Sequence, residues 1–271
     1  MVGGNARGHG IPHQGAGLNT PPEDWIVPDW PAPARVRALV TTRSGGASSG
    51  AYASFNLGLR AGEDVQVVKR NRALLDARLP APPAWMIQVH GADVLELTDS
   101  SGVVATEGGE AQADAAVARA AQRVCAVLTA DCLPVLLCDR EGTVVAVAHA
   151  GWRGLAGGVI EATLRKMYCP AGRVMAWLGP AISQAAYEVG PELRETFVNA
   201  CAADAAAFRD GKPGKFQADL YALARRRLLS AGVQAVYGGG FCTYADAQRF
   251  YSYRRDGAAS GRMASLIWLA A

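Results

Sequence analysis

Near the middle of the chain, residues 124–129, 134–138 and 144–148 are apolar almost without interruption. A strand with one face on a core and one in water alternates apolar and polar residues. A strand covered on both faces has no reason to. Three such runs close together predict a sheet in the interior of a layered structure, with further layers above and below it. The four residues Arg140-Glu141-Gly142-Thr143 between the last two runs are too few for a crossover, so those strands form a hairpin.

The covering layers can be read on either side. Residues 36–42 form a strand rich in β-branched side chains, broken by Ser44-Gly45-Gly46. Asp64 caps a helix that runs to Leu79, with Val68, Leu75 and Leu79 on one face and Pro80 stopping it. Residues 85–89 and 94–97 are short strands flanking His90-Gly91-Ala92-Asp93. Helical spacing begins after Gly151, again at Pro191 and again over 219–229. The run Arg225-Arg226-Arg227 on that last helix reads as a solvated face. Strands at 233–237 and 265–269 end the chain. Residues 1–22, with His9 and His13, are rich in glycine and lack periodicity, and are expected to be a flexible tail. Residues 23–271 show neither repeat nor linker and are expected to be a single catalytic domain. The Pro/Trp segment 25–33 that opens it packs its two tryptophans onto the rest.

Composition bounds the partners. Half of the 271 residues are hydrophobic and 19% are charged, which supplies a large core. A net charge of +3 calls for no nucleic acid and suits a neutral or phosphate-bearing small molecule. The six cysteines are scattered and several lie in apolar runs, the pattern of small buried hydrophobes in a reducing compartment. Residues 1–17 hold no secretory apolar core, and no run is long enough to span a bilayer. The expected location is cytoplasmic, without a membrane partner. No oligomeric state is assigned.

Three segments carry chemistry: Gln88-Val89-His90-Gly91-Ala92-Asp93, Thr129-Ala130-Asp131-Cys132-Leu133-Pro134, and His149-Ala150-Gly151-Trp152-Arg153-Gly154. Each sets one potential metal ligand at a predicted strand end beside a turn, where layered folds open their sites. Two imidazoles and a thiolate are a standard zinc set, and three protein ligands leave one tetrahedral position for water. Spacing alone leaves open that Cys132 is a core cysteine and that the histidines are structural.

These segments resemble the motifs of the laccase-domain family, also called multicopper polyphenol oxidases, purine nucleoside phosphorylases and peptidoglycan editing factors. Further matches are Thr41-Thr42-Arg43-Ser44-Gly45-Gly46, Ser54-Phe55-Asn56-Leu57-Gly58, Leu178-Gly179-Pro180-Ala181-Ile182, Tyr187-Glu188-Val189-Gly190, Phe250-Tyr251-Ser252-Tyr253-Arg254-Arg255-Asp256 and Gly261-Arg262-Met263-Ala264. They cover residues 35–269 in order. The resemblance implies an α+β, four-layer α/β/β/α sandwich of two mixed sheets covered by helices. It also implies a metal, zinc or copper, held by His90, Cys132 and His149. One departure is Arg60, which stands where many members have His.

The family's names imply different chemistries. A multicopper centre needs a type-1 copper site and a histidine-rich trinuclear cluster. This chain has four histidines, two of them in the tail, and no His-x-His pair, so copper oxidation would be adventitious. The expected activity is phosphorolysis of adenosine, inosine or methylthioadenosine, with adenosine deamination as a further possibility, on small-molecule nucleoside and phosphate. Arg43, Asn56, Arg254, Arg255 and Arg262 are the expected substrate-binding residues, Arg43 first, because guanidinium groups grip phosphate bidentately. There is no His-x-Glu proton shuttle. Asp131 is a candidate for that role, with a turn-capping role as its alternative. A second enzyme class is a cysteine hydrolase or amidase on a peptidoglycan precursor, with Cys132 as nucleophile and His149 as base. A non-enzymatic protein with a structural metal is a third, and the open ligand set argues against it.

Overall fold

Strands whose two faces are both apolar need two cores, and the central strands have them. The computed structural model describes residues 22–98 and 110–271. The expected tail, with His9 and His13, lies outside the described residues apart from Pro22. The strands are β1 (Val36–Val40), β2 (Val94–Leu97), β3 (Ala115–Ala118), β4 (Cys125–Thr129), β5 (Leu133–Asp139), β6 (Val145–Ala150), β7 (Val174–Leu178), β8 (Glu188–Val189), β9 (Phe208–Asp210), β10 (Phe216–Ala218), β11 (Ala235–Gly238) and β12 (Met263–Leu269). The α-helices are α1 (Val65–Asp76), α2 (Trp152–Ala156), α3 (Val159–Lys166), α4 (Pro191–Ala200), α5 (Leu220–Ser230) and α6 (Tyr253–Asp256).

A six-stranded mixed sheet runs β11-β7-β5-β6-β3-β2, and a three-stranded antiparallel sheet runs β1-β12-β4. Alternate residues of the large sheet enter different cores. Leu133, Val135 and Leu137 of β5, with Ala146 and Ala148 of β6, pack under Leu155, Ile160, Phe197 and Leu223 of the helices. Their neighbours Leu136, Cys138, Val145 and Val147 meet Val127 of β4 and Ile267 of β12 across the gap between the sheets. The outer face of the small sheet, through Leu39, Ala126 and Leu266, is covered by Leu75 of α1 together with Phe55, Leu57 and Trp25. The layers are therefore helices, large sheet, small sheet and helix, the α+β arrangement the motifs imply. The second sheet is antiparallel where a mixed one was expected, and β8, β9 and β10 make a small third sheet.

The β5–β6 hairpin is as expected, with Asp139 accepting hydrogen bonds from the backbone and hydroxyl of Thr143 in its turn. Four expectations need correction. Residues 85–89 make only one isolated bridge, at Ile87, next to another at Ala84, because the amide of Gln88 takes both hydrogen bonds of Leu128 that a strand backbone would have used. The helix after Gly151 is broken into α2 and α3 at Gly158, whose φ of 84° is left-handed. Strand β7 falls where no strand was expected. The three arginines of α5 are not a solvated face: Arg225 donates to the carbonyls of Val236 and Gly238, and Arg226 and Arg227 pair with the buried Asp204. All six cysteines are free. No described helix is long and apolar enough to cross a membrane.

Candidate metal centre and its cavity

The connection from β4 to β5 carries the chain from the small sheet to the large one, and Cys132 lies on it. Asp131 makes the turn at φ 88°, held by two hydrogen bonds to its carboxylate, from Thr243 Oγ1 at 2.6 Å and from the backbone amide of Arg254 at 2.7 Å. The β5–β6 register pairs Leu133 with Ala150, which brings Cys132 alongside Gly151. A Cβ on Gly151 would lie 2.8 Å from Cys132 Sγ and 3.3 Å from the His90 ring, so a glycine is needed there for space.

The β3–β6 register pairs Ala115 with Ala148, placing Asp114 beside His149. Asp114 is fully buried and accepts four hydrogen bonds: from His149 Nδ1 at 2.8 Å and from the backbone amides of Val89, His90 and Gly91 at 3.0, 2.9 and 2.8 Å. Burial resists its ionisation, but the bonds from His149 and from the amides outweigh burial and hold the carboxyl below its ordinary range. An ionised carboxylate can only accept, so Nδ1 of His149 carries the proton and Nε2 remains as the ligand atom. The same carboxylate fixes the turn of His90, which adopts φ 62°.

The three ligand atoms of His90, Cys132 and His149 lie within 4.8 Å of one another, and Cys132 Sγ is 3.9 Å from His90 Nε2. Metal bonds of about 2.0–2.3 Å join donors up to about 4.4 Å apart, so the cluster closes on an ion with small side-chain adjustments. His149 is buried and His90 faces solvent, which leaves the cluster open on one side. Burial opposes ionisation of the Cys132 thiol, but the two imidazoles outweigh it and lower its pKa. Burial likewise opposes charge on His149, and Cys132 and Asp114 more than offset it, raising the imidazole. The donor chemistry, two nitrogens and an ionised sulfur, fits zinc or copper.

The cluster opens into a cavity of about 600 Å³. Its walls include the arginines 60, 72, 153, 254 and 262, the rings of Trp152, Tyr187 and Tyr253, and the acids Glu110 and Asp131. Of the expected substrate residues, Arg254 and Arg262 line it. Arg43, Asn56 and Arg255 do not, because their polar groups are spent on the scaffold. Arg43 donates to the carbonyls of Ala53 and Ala247 and lies 4.7 Å from the Tyr251 ring centre. Asn56 is buried, donating to Glu63 and accepting from the amides of Gly58 and Arg262. Arg255 donates to the carbonyls of Thr243, Tyr244 and Phe250. Sequence reasoning missed Asp114, Tyr187 and Arg153. The signal for Asp114 was a carboxylate heading the apolar run Ala115-Ala116-Val117, where burial demands partners.

Residues 37–270 match the family model described as multi-copper polyphenol oxidoreductase laccase. The chain belongs to this laccase family. It is 52% identical over 246 residues to purine nucleoside phosphorylase PA4543 of Pseudomonas aeruginosa, covering 90% of this chain and 98% of that one. It is 48% identical to purine nucleoside phosphorylase YfiH of Escherichia coli over the same shares. Among solved structures, Neisseria meningitidis protein NMB0706 superposes with a TM-score of 0.87 at 49% identity, covering 92% of this chain and all of that one. Geobacillus stearothermophilus YlmD superposes at 0.79 and 31% identity, covering 88% and 93%. The laccase family's name suggests metal binding, and the His/Cys/His cluster is the group of this chain that could serve it.

Proposed function

We propose that this chain is a metal-dependent purine nucleoside enzyme that cleaves adenosine, inosine or methylthioadenosine by phosphorolysis, with zinc held by His90, Cys132 and His149. One observation carries the reading: an open three-donor cluster forms part of a cationic, aromatic-walled cavity. The names of the Pseudomonas and Escherichia relatives support it. In phosphorolysis a phosphate oxygen bonds C1′ of the ribose as the C1′–N9 bond breaks. The electron pair leaves with the purine, which takes up a proton. Trp152, Tyr187 and Tyr253 offer ring faces to the base, and Arg254 and Arg262 offer positive charge to the phosphate and ribose. Arg43, Asn56 and Arg255 hold the loops that carry these groups. Asp131 acts as a positioning residue, since both of its carboxylate oxygens are engaged. When bound, zinc supplies positive charge where negative charge develops in the reaction.

The same site supports adenosine deamination as a second activity. Copper(II) binds such ligands more tightly than zinc, and phenol oxidation would be a property of the substituted ion. The test is adenosine consumption by zinc-loaded protein with and without phosphate. Adenine and ribose 1-phosphate should form only with phosphate. Equal consumption in its rigorous absence overturns phosphorolysis in favour of deamination or hydrolysis. The lowered Cys132 thiol favours one rival, a cysteine hydrolase acting on a peptidoglycan precursor with His149 as base. Under that rival the purified enzyme holds no stoichiometric zinc, and iodoacetamide abolishes its activity whether or not zinc is added.

A further inference from the structure

The five arginines of the cavity are not equivalent, because a guanidinium already bonded to protein has fewer donors left for a ligand. Arg72 pairs with Glu110 at 3.2 Å, donates to Leu57 O and lies over the Trp85 ring. Arg262 donates twice from Nη1, to the carbonyls of Ser260 and Gly261. Arg254 uses only Nη1, bonded to Glu188 O at 2.7 Å, and its guanidinium lies 5.1 Å from the centre of the Tyr187 ring. The guanidinium groups of Arg153 and Arg60 make no hydrogen bond or ion pair to any described residue. The Arg153 guanidinium lies 4.4 Å from the ring centre of its neighbour Trp152.

Position separates these two free cations. Arg60 belongs to the wall made by Gly58, Leu59 and Ala61, a wall that packs against Arg262. Arg153 follows His149 by four residues and lines the same cavity as Tyr187 and Arg254. The Tyr187 hydroxyl also makes no hydrogen bond to a described residue. A phenol, a wholly free guanidinium and a half-free one thus share the cavity with the ligand cluster. Planar guanidinium forks match the oxygens of a tetrahedral oxyanion, and a phenol adds a third donor.

We infer that Arg153, Arg254 and Tyr187 form the oxyanion subsite of the cavity, where inorganic phosphate is gripped. The identification of the anion as a reacting phosphate rests on the phosphorolysis reading; the binding of phosphate does not. The test combines calorimetric titration of zinc-loaded protein with inorganic phosphate and steady-state kinetics on adenosine. R153Q should weaken phosphate binding and raise the KM for phosphate by about tenfold or more, the loss of one charge-assisted contact, with the KM for adenosine within about twofold. R153K should recover part of the binding, since it restores charge without the fork. Y187F should lose less, and R60Q should bind phosphate as the wild type does. Zinc content must stay unchanged in each variant, and if R153Q fails to fold, R254Q and Y187F carry the test. Wild-type phosphate affinity in R153Q, or its loss in R60Q instead, overturns the assignment. If phosphate binds in an Arg153-dependent way while adenosine is consumed without it, the subsite stands and phosphorolysis falls. If phosphorolysis continues in R153Q with an unchanged phosphate KM, the subsite falls and phosphorolysis stands.

Discussion

At the scale of single residues, the His/Cys/His cluster depends on a group outside it. Asp114 orients His149 and fixes the His90 turn. D114N should therefore lower zinc affinity by about 10–100-fold, measured by competition with a chromogenic chelator. An unchanged affinity would show that the histidines orient themselves. Under the proposed zinc site, Cys132→Ala should hold far less zinc than the wild type, and elemental analysis finding equal zinc in both would remove Cys132 from the ligand set. Gly151→Ala tests space instead of chemistry: its new methyl group meets Cys132 Sγ, so zinc content should fall although no donor is removed. The three residues of the cluster were legible in the sequence because each sits in a short, distinctive motif. Asp114 was not, because its two clients lie 24 and 35 positions away in the chain and only sheet register unites them. Arg43 misled for a related reason. Sequence displays a charge but not the carbonyls that will consume its donors.

At the scale of elements, the strands with two apolar faces announced their layer and the hairpin that joins two of them, and the register of that hairpin brings Cys132 alongside Gly151. Strand β3 escaped because it is built of alanine, which strands disfavour, and it persists through pairing on both sides with β2 and β6. The 85–89 segment looked like a strand by composition, and its pairing is done by a side chain. On α5, periodicity gave the helix, whereas the destinations of Arg225, Arg226 and Arg227 depended on the distant Asp204 and β11. The interior role of β5 gives a stability prediction. Leu136 is fully buried between the two sheets. Leu136→Ala should cost about 2–5 kcal/mol in urea unfolding, a removal of buried methyl groups that leaves a cavity. A cost below about 1 kcal/mol, typical of surface positions, would mean the sheets close over the gap.

At the scale of the whole molecule, metal binding and folding are linked but separable. An ion that binds only the folded chain adds about 2.7 kcal/mol of stability at a free concentration one hundred times its Kd. Chelator-stripped protein should therefore melt at a lower temperature than zinc-loaded protein, yet remain folded by circular dichroism, and re-addition of zinc should restore the melting point. Unfolding on chelation alone would make the metal structural. The expectation that the stripped chain keeps its shape comes from Asp114, whose four hydrogen bonds all come from the protein itself. A cage assembled this way imposes no refolding toll on whichever ion arrives, so selection falls to donor type and geometry, and both zinc and copper accept two imidazoles and a thiolate. Occupancy then follows intrinsic affinity weighted by supply, and copper outranks zinc on affinity alone. The ion found in a purified sample is thus partly a record of the growth medium. Phenol oxidation seen in protein from copper-rich culture describes the culture as much as the polypeptide.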